Sequence, residues 1–361
     1  MTLEETIKSI EPLNRDAFEE SRKRWDGIAK PLRSLGLLEE GIIKIAGISG
    51  TSDVKLKKKA LIIMCADNGV VCENVTQTGM EMTAIVTENF TKNKATVAVM
   101  SKSLGVDVFP IDIGVYRDIE GALNKDQEIQ PFHVINRKIA YGTKNIYREP
   151  AMAREEAISA IETGIEIVKE LKEKGYNIIA TGEMGIGNTS TSSAVTSVLL
   201  GQSVEKVTGK GAGLTSEGLN RKIHVIKEAI RKNSPSKDDP IDVLRKVGGL
   251  DIGGLVGVFI GGAVYNVPIV IDGFISAVSA LLASKMNPLV LDYILPSHVS
   301  KEPAGSMVLD KLKLKPFLNC EMCLGEGSGA IALFPILDLA CTVYNEMSTF
   351  KEQGFKYEPL S

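Results

Sequence analysis

The 361-residue sequence is sparing with the residue types that mark several common protein classes. It has three histidines and five cysteines. Cys65, Cys72, Cys320, Cys323 and Cys341 are unevenly spread, and an odd count argues against a secreted disulfide framework and for a reducing cytoplasm. Cys320 and Cys323 have CxxC spacing, but no second pair and no nearby histidine completes a zinc site, so no metal centre is expected. Charge of one sign is also missing. Net charge is −3, and no basic block suggests nucleic acid. No apolar run is unbroken. The longest, 252–271, is interrupted by five glycines, Asn266 and Pro268. It reads as a glycine-rich buried helix followed by a strand, not as a membrane span. The first residues, Met1–Lys8, do not read as a signal peptide.

What is present is a hydrophobic content of 44%, enough for a large core, and 34 glycines. The core allows one large domain with a smaller lobe, or two domains. Buried strands are expected at 59–66, 106–113, 176–180, 267–271 and 289–295, alternating with helices such as 151–172, 188–200, 217–232 and 274–286. Residues 1–47 read as helical, with Asn14 capping a helix from Arg15, and 115–149 as irregular. Strands alternating with helices in this way predict an α/β fold.

Thr181-Gly-Glu-Met-Gly-Ile-Gly-Asn-Thr-Ser190 is the most informative stretch. It joins the end of a strand to the start of a helix, with Asn188 or Thr189 placed to cap that helix. Gly182, Gly185 and Gly187 let the backbone approach a ligand, and the helix start favours an anion. Glu183 would repel a phosphate, so it should face a proton, a hydroxyl or a partly cationic ring. Glu326 repeats the pattern in Leu324-Gly-Glu-Gly-Ser-Gly-Ala330, where a general base would be well placed. Asp67, Asn68 and Asp272 end other strands, although Asp67-Asn-Gly69 also reads as an ordinary Asx-turn. Ser297 and Ser300 suit a phosphate. His298, with no metal-spaced partner, reads as structural. These loops point to an enzyme with a phosphate-bearing substrate and do not name its reaction.

Seven motifs in order carry a resemblance over roughly residues 20–345. They are Lys30-Pro…Ser34-Leu-Gly…Leu38-Glu39, Ala66-Asp-Asn-Gly-Val70, Gly182-Glu-Met-Gly-Ile-Gly-Asn-Thr189, Lys246-Val-Gly-Gly-Leu-Asp251, Ile271-Asp-Gly-Phe274, Pro296-Ser-His-Val-Ser300 and Leu324–Ala330. Together they resemble the nicotinate-nucleotide:dimethylbenzimidazole phosphoribosyltransferase (CobT) family. The resemblance implies a parallel, Rossmann-like sheet flanked by helices, with a small helical lobe from the chain ends. It divides the chain into 1–58, a catalytic 59–312, and 313–361 carrying the catalytic loop. It implies a cytoplasmic transferase that moves 5-phosphoribosyl from nicotinate mononucleotide to an aromatic base in cobamide assembly, with no cofactor, metal, nucleic acid or membrane.

The same resemblance makes Glu326 the catalytic base and Glu183 a second active-site carboxylate. Lys222, Gly185 and Ser300 handle the nucleotide phosphate. Gly182, Gly187, Asn188, Asp251, Asp272, Ser297, Leu324 and Gly325 complete the substrate-binding set. Thr78 and Val86 fall where many members have Ser and a hydrogen-bonding Gln, which tilts the acceptor pocket towards phenol or p-cresol. Asn68, Arg33 and Cys323 replace the usual His, Gly and Arg. The resemblance implies a homodimer or a heterodimer with a related chain. The alternative is a non-catalytic partner subunit.

Overall fold

Alternation along the strands determines how this chain is layered. The structure, a computed structural model, describes residues 2–211 and 213–355. Three helices open it: α1 (Leu3–Lys8), α2 (Arg15–Gly27) and α3 (Leu37–Ser49). Then come β1 (Lys59–Ala66), α4 (Glu81–Thr91), α5 (Thr96–Leu104), β2 (Asp107–Gly114) and a two-residue β3 (Ile135–Asn136). α6 (Arg154–Glu173) leads to β4 (Ile178–Met184) and α7 (Asn188–Leu200). Four helices follow: α8 (Val204–Val207), α9 (Ser216–Asn233), α10 (Pro240–Val247) and α11 (Leu250–Val264). β5 (Ile269–Ile271), α12 (Phe274–Met286), β6 (Ile294–Pro296), α13 (Gly305–Leu312) and α14 (Ser328–Glu346) complete the order.

The six strands are all parallel, in the order β3-β2-β1-β4-β5-β6. The order reverses between β1 and β4, and the crevice outside their carboxyl ends is where such sheets bind ligands. On β1, Ala60, Ile62, Met64 and Ala66 enter one core cluster, and Leu61, Ile63 and Cys65 enter the other. Ile269 and Ile271 part from Val270 in the same way on β5. Both faces are therefore buried, as the unbroken apolar strands require. Each fully buried Ile or Leu contributes about 1.5–3 kcal/mol.

The glycine-rich stretch is α11, and its glycines serve packing. A Cβ on Gly257 would lie 2.9 Å from the Cα of Gly164 on α6, so the two helices cross backbone to backbone. The chain ends meet through α2 and α14. The rings of Trp25 and Tyr344 are 5.3 Å apart, and Arg24 donates to the Tyr344 and Asn345 carbonyls. α14 has the length and apolarity of a membrane span, but Ala330, Ile331, Leu333, Phe334 and Leu337 pack into the core.

Several expectations are corrected. Residues 288–293 form a 3-10 turn, and only Ile294–Pro296 is strand, because Pro288 opens a helical turn capped by Asn287. β4 continues through Glu183 to Met184, since it stays paired with β1 as far as Cys65. The irregular 115–149 region contains β3. Asn14 does cap α2, accepting from the Ala17 N–H at 2.9 Å.

Candidate active site

A cleft of about 340 Å³ opens where the sheet order reverses. One wall is the β4–α7 turn, from Glu183 to Thr189. Asp272–Ser276 at the start of α12, His298, Ser300 and Glu302 form the floor, with Leu324, Gly325 and Glu326 opposite the turn. Val75–Thr78, Val86, Lys210, Gly211 and Lys222 close the sides.

Glu183 sits beside Met64 in the sheet register and is 7% exposed. Burial pushes its carboxyl up to about 8, helped by the nearby Asp251 and Asp272 carboxylates and opposed by the Asn188 amide, which donates to it. Glu183 is thus largely protonated at neutral pH. Glu326 is held differently. Its φ is +62°, between Gly325 at +89° and Gly327 at +97°, a left-handed run that L side chains rarely adopt. Its Oε2 accepts from the Val97 N–H at 3.3 Å, in the first turn of α5, where Ala95 has no capping side chain. Burial raises the Glu326 carboxyl above its ordinary value, and the Val97 N–H pulls it back. Two carboxyls with unlike environments share one cavity, an arrangement suited to acid–base work.

Lys222 lines the same cleft. Its ammonium donates to Thr189 Oγ1 at 2.8 Å and to the Gly209 carbonyl at 3.2 Å. Burial lowers it to about 8, against the pull of Glu302. A buried cation beside the start of α7 suits a phosphate. The lining also includes the apolar side chains of Val75, Val86, Met184 and Leu324. Gln77 donates to the Gly213 carbonyl at 2.5 Å, tying two loops together.

The cleft brings together Thr78, Val86, Glu183, Gly185, Gly187, Asn188, Lys222, Asp272, Ser300, Leu324, Gly325 and Glu326. Gly182, Asp251 and Ser297 do not line it. A Cβ on Gly182 would lie 2.8 Å from the Glu326 carbonyl carbon, so this glycine makes room for the opposite turn. Asp251 is wholly buried behind Gly185, and burial raises it to about 7. Ser297 Oγ donates to the Asp272 carbonyl at 3.0 Å, so it is committed inside the wall. Asn188 does not cap α7, and neither does Thr189. Gly187 occupies the cap position at φ +94°, and both side chains turn into the site. Asp67 does not line the cleft; it is wholly buried and accepts from the Tyr116 N–H at 2.9 Å.

Glu302, Gln77, Thr189 and Val97 were not singled out as site residues from the sequence. Glu302 stands two residues after Ser300, and a search for a carboxylate near the buried lysine would have found it. Nothing local marks Val97, which contributes only a backbone N–H. His298 lies 3.0 Å from Ser297 Oγ and beside Asp272. Burial lowers its pKa and the carboxylate opposes this. Cys320 and Cys323 are exposed and unpaired. Among the described residues, no three His, Cys, Asp or Glu side chains are grouped to hold a metal.

Comparison with known proteins agrees with this geometry. The profile of a family described as Phosphoribosyltransferase matches residues 10–355. The chain is 51% identical over 361 residues, all of both chains, to the nicotinate-nucleotide–dimethylbenzimidazole phosphoribosyltransferase of Ruminiclostridium cellulolyticum. It is 49% identical, again over all of both chains, to the protein of that name from Clostridium acetobutylicum. The crystal structure of CobT from Thermus thermophilus superposes with a TM-score of 0.87 at 34% identity, covering 95% of this chain and all of that one. The chain therefore belongs to the nicotinate-nucleotide:dimethylbenzimidazole phosphoribosyltransferase family and is a phosphoribosyltransferase.

Proposed function

We propose that this enzyme transfers the 5-phosphoribosyl group of nicotinate mononucleotide to dimethylbenzimidazole, releasing nicotinate, in the assembly of a cobamide lower ligand. The observation that carries the reading is the convergence of Glu326 and Glu183 in one cleft with the buried Lys222. Lys222, Ser300 and the start of α7 take the phosphate. The C1′–N bond to the pyridinium breaks and its electron pair returns to the ring nitrogen, so the leaving group needs no acid. A ring nitrogen of the acceptor forms the new bond to C1′ from the opposite face. The proton on the acceptor's other nitrogen passes to Glu326, whose raised pKa makes it a stronger base. Protonated Glu183 supplies a hydrogen-bond donor without adding negative charge beside that base.

Val86 supports a second reading, in which phenol or p-cresol is accepted. It gives the acceptor wall an apolar side chain, and a phenol presents one hydroxyl on an otherwise apolar ring. Full-length identity to enzymes named for dimethylbenzimidazole favours the first reading. A homodimer in the cytoplasm, active without a partner chain, fits both. The deciding assay gives the purified protein nicotinate mononucleotide with equimolar dimethylbenzimidazole and p-cresol and resolves products by mass spectrometry. A predominant N-riboside phosphate supports the first reading and an O-riboside phosphate the second. No product from the protein alone, with activity restored by a related chain, supports the partner-subunit alternative.

A further inference from the structure

The turn that carries Glu326 cannot hold itself. Three consecutive residues have positive φ, and the middle one has a side chain. The helix it enters, α14, has Gly327 at its cap position, so its first N–H groups have no local side-chain partner. The partner comes from another element. Asp272, just beyond β5, accepts from the Gly327 N–H through Oδ2 at 3.1 Å. Its Oδ1 accepts from Gly329 at 2.7 Å and Ala330 at 3.1 Å. Asp272 is itself anchored to the sheet. Its N–H donates to Thr181 Oγ1 and Ser276 Oγ, both at 3.3 Å, and those hydroxyls lie 2.6 Å apart. A carboxylate at a helix start also complements the dipole.

We propose that Asp272 is a positioning residue for Glu326. Both its oxygens are engaged by the main chain of α14, so it fixes the left-handed turn that aims the base rather than holding substrate. The inference rests on the reading of Glu326 as that base. Asp272 was among the residues expected to bind substrate, and this assignment changes its role.

Asp272→Asn tests it, because an amide keeps the shape but offers a single accepting oxygen. We expect kcat to fall about 100-fold while KM for nicotinate mononucleotide stays within about threefold. In a Glu326→Gln background the same change should cost under about threefold more, since the residue acts through Glu326. A tenfold or greater rise in KM with kcat preserved would overturn the proposal, as would an undiminished loss in the Glu326→Gln background. A fully active Glu326→Gln enzyme would instead sink the reading of the base, so the two failures are distinguishable. If Asp272→Asn does not fold, hydrogen exchange on the unaltered enzyme decides. The Gly327, Gly329 and Ala330 amides should exchange at least about 100-fold more slowly than open chain, and unprotected rates would overturn the proposal.

Discussion

The two glycine-framed glutamates face each other across one cleft, yet their backbones are held in opposite ways. Glu183 is a strand residue, paired in the sheet through its main chain and bonded at Oε2 by the Asn188 amide. Its position follows from the core, and its unusual property is electrostatic, a carboxyl raised to about 8. Glu326 lies in no regular element. Its unusual property is conformational, a left-handed backbone whose following N–H, at Gly327, is held by Asp272, while the Val97 N–H holds the Glu326 carboxylate itself. The lesson is that one site can place one carboxyl by rigid burial in a strand and another by a propped turn.

The strongest way to break this comparison is to neutralise each carboxyl in turn. Glu326→Gln should lower kcat at least about 100-fold. Glu183→Gln, measured at pH 6.5 where the native group is already protonated, should cost under about tenfold. Steady-state rates with dimethylbenzimidazole check both, and the reverse order would exchange the two roles.

The next test substitutes the supporting glycines. Gly325→Ala forces a left-handed Ala and puts a methyl 2.5 Å from Glu183 Oε1, so activity should fall at least about tenfold. Gly187→Ala, at φ +94° with Val71 2.9 Å away, should act mainly on stability, by about 1–3 kcal/mol in urea unfolding. Equal effects on rate from both would mean that the two turns share one kind of support.

The pH dependence of stability sharpens the electrostatic half. The Glu183 carboxyl is raised from 4.5 to about 8 on folding, so the stability tied to its neutral form is complete below 4.5 and lost as pH rises through 8. Glu183→Gln cannot ionise. Its advantage in unfolding free energy over the native enzyme should be small at pH 5 and grow to the order of 2–4 kcal/mol by pH 9. A constant offset across that range would show that Glu183 is not buried as a neutral acid. The smallest effect leaves both carboxyls alone. Val86→Gln should shift the product ratio towards dimethylbenzimidazole over p-cresol by about three- to tenfold in the competition assay.

Much of this protein was legible as local pattern. The apolar runs marked β1, β2, β4 and β5 because strands buried on both faces need no polar alternation. The Gly-Glu spellings marked both carboxyls, because a side chain brought close to a ligand needs permissive backbone beside it. Asn14 marked a helix start through its own hydrogen bond. The rest was decided in three dimensions. Ser297 and Asp251 looked available and lie behind the cleft lining, where the Ser297 hydroxyl donates to the Asp272 carbonyl and Asp251 Oδ1 accepts from the Ile252 N–H in the first turn of α11. Asn188 looked like a cap and instead donates to Glu183, since a glycine at the cap position freed it. Glu183 and Glu326 are far apart in the chain, and so are Asp272 and the start of α14. Sequence alone determined which residues could do this chemistry, since it sets their types and local backbone freedom. The tertiary structure decided which of them meet, because sheet order and the crossing of buried strands control distances that no local pattern encodes.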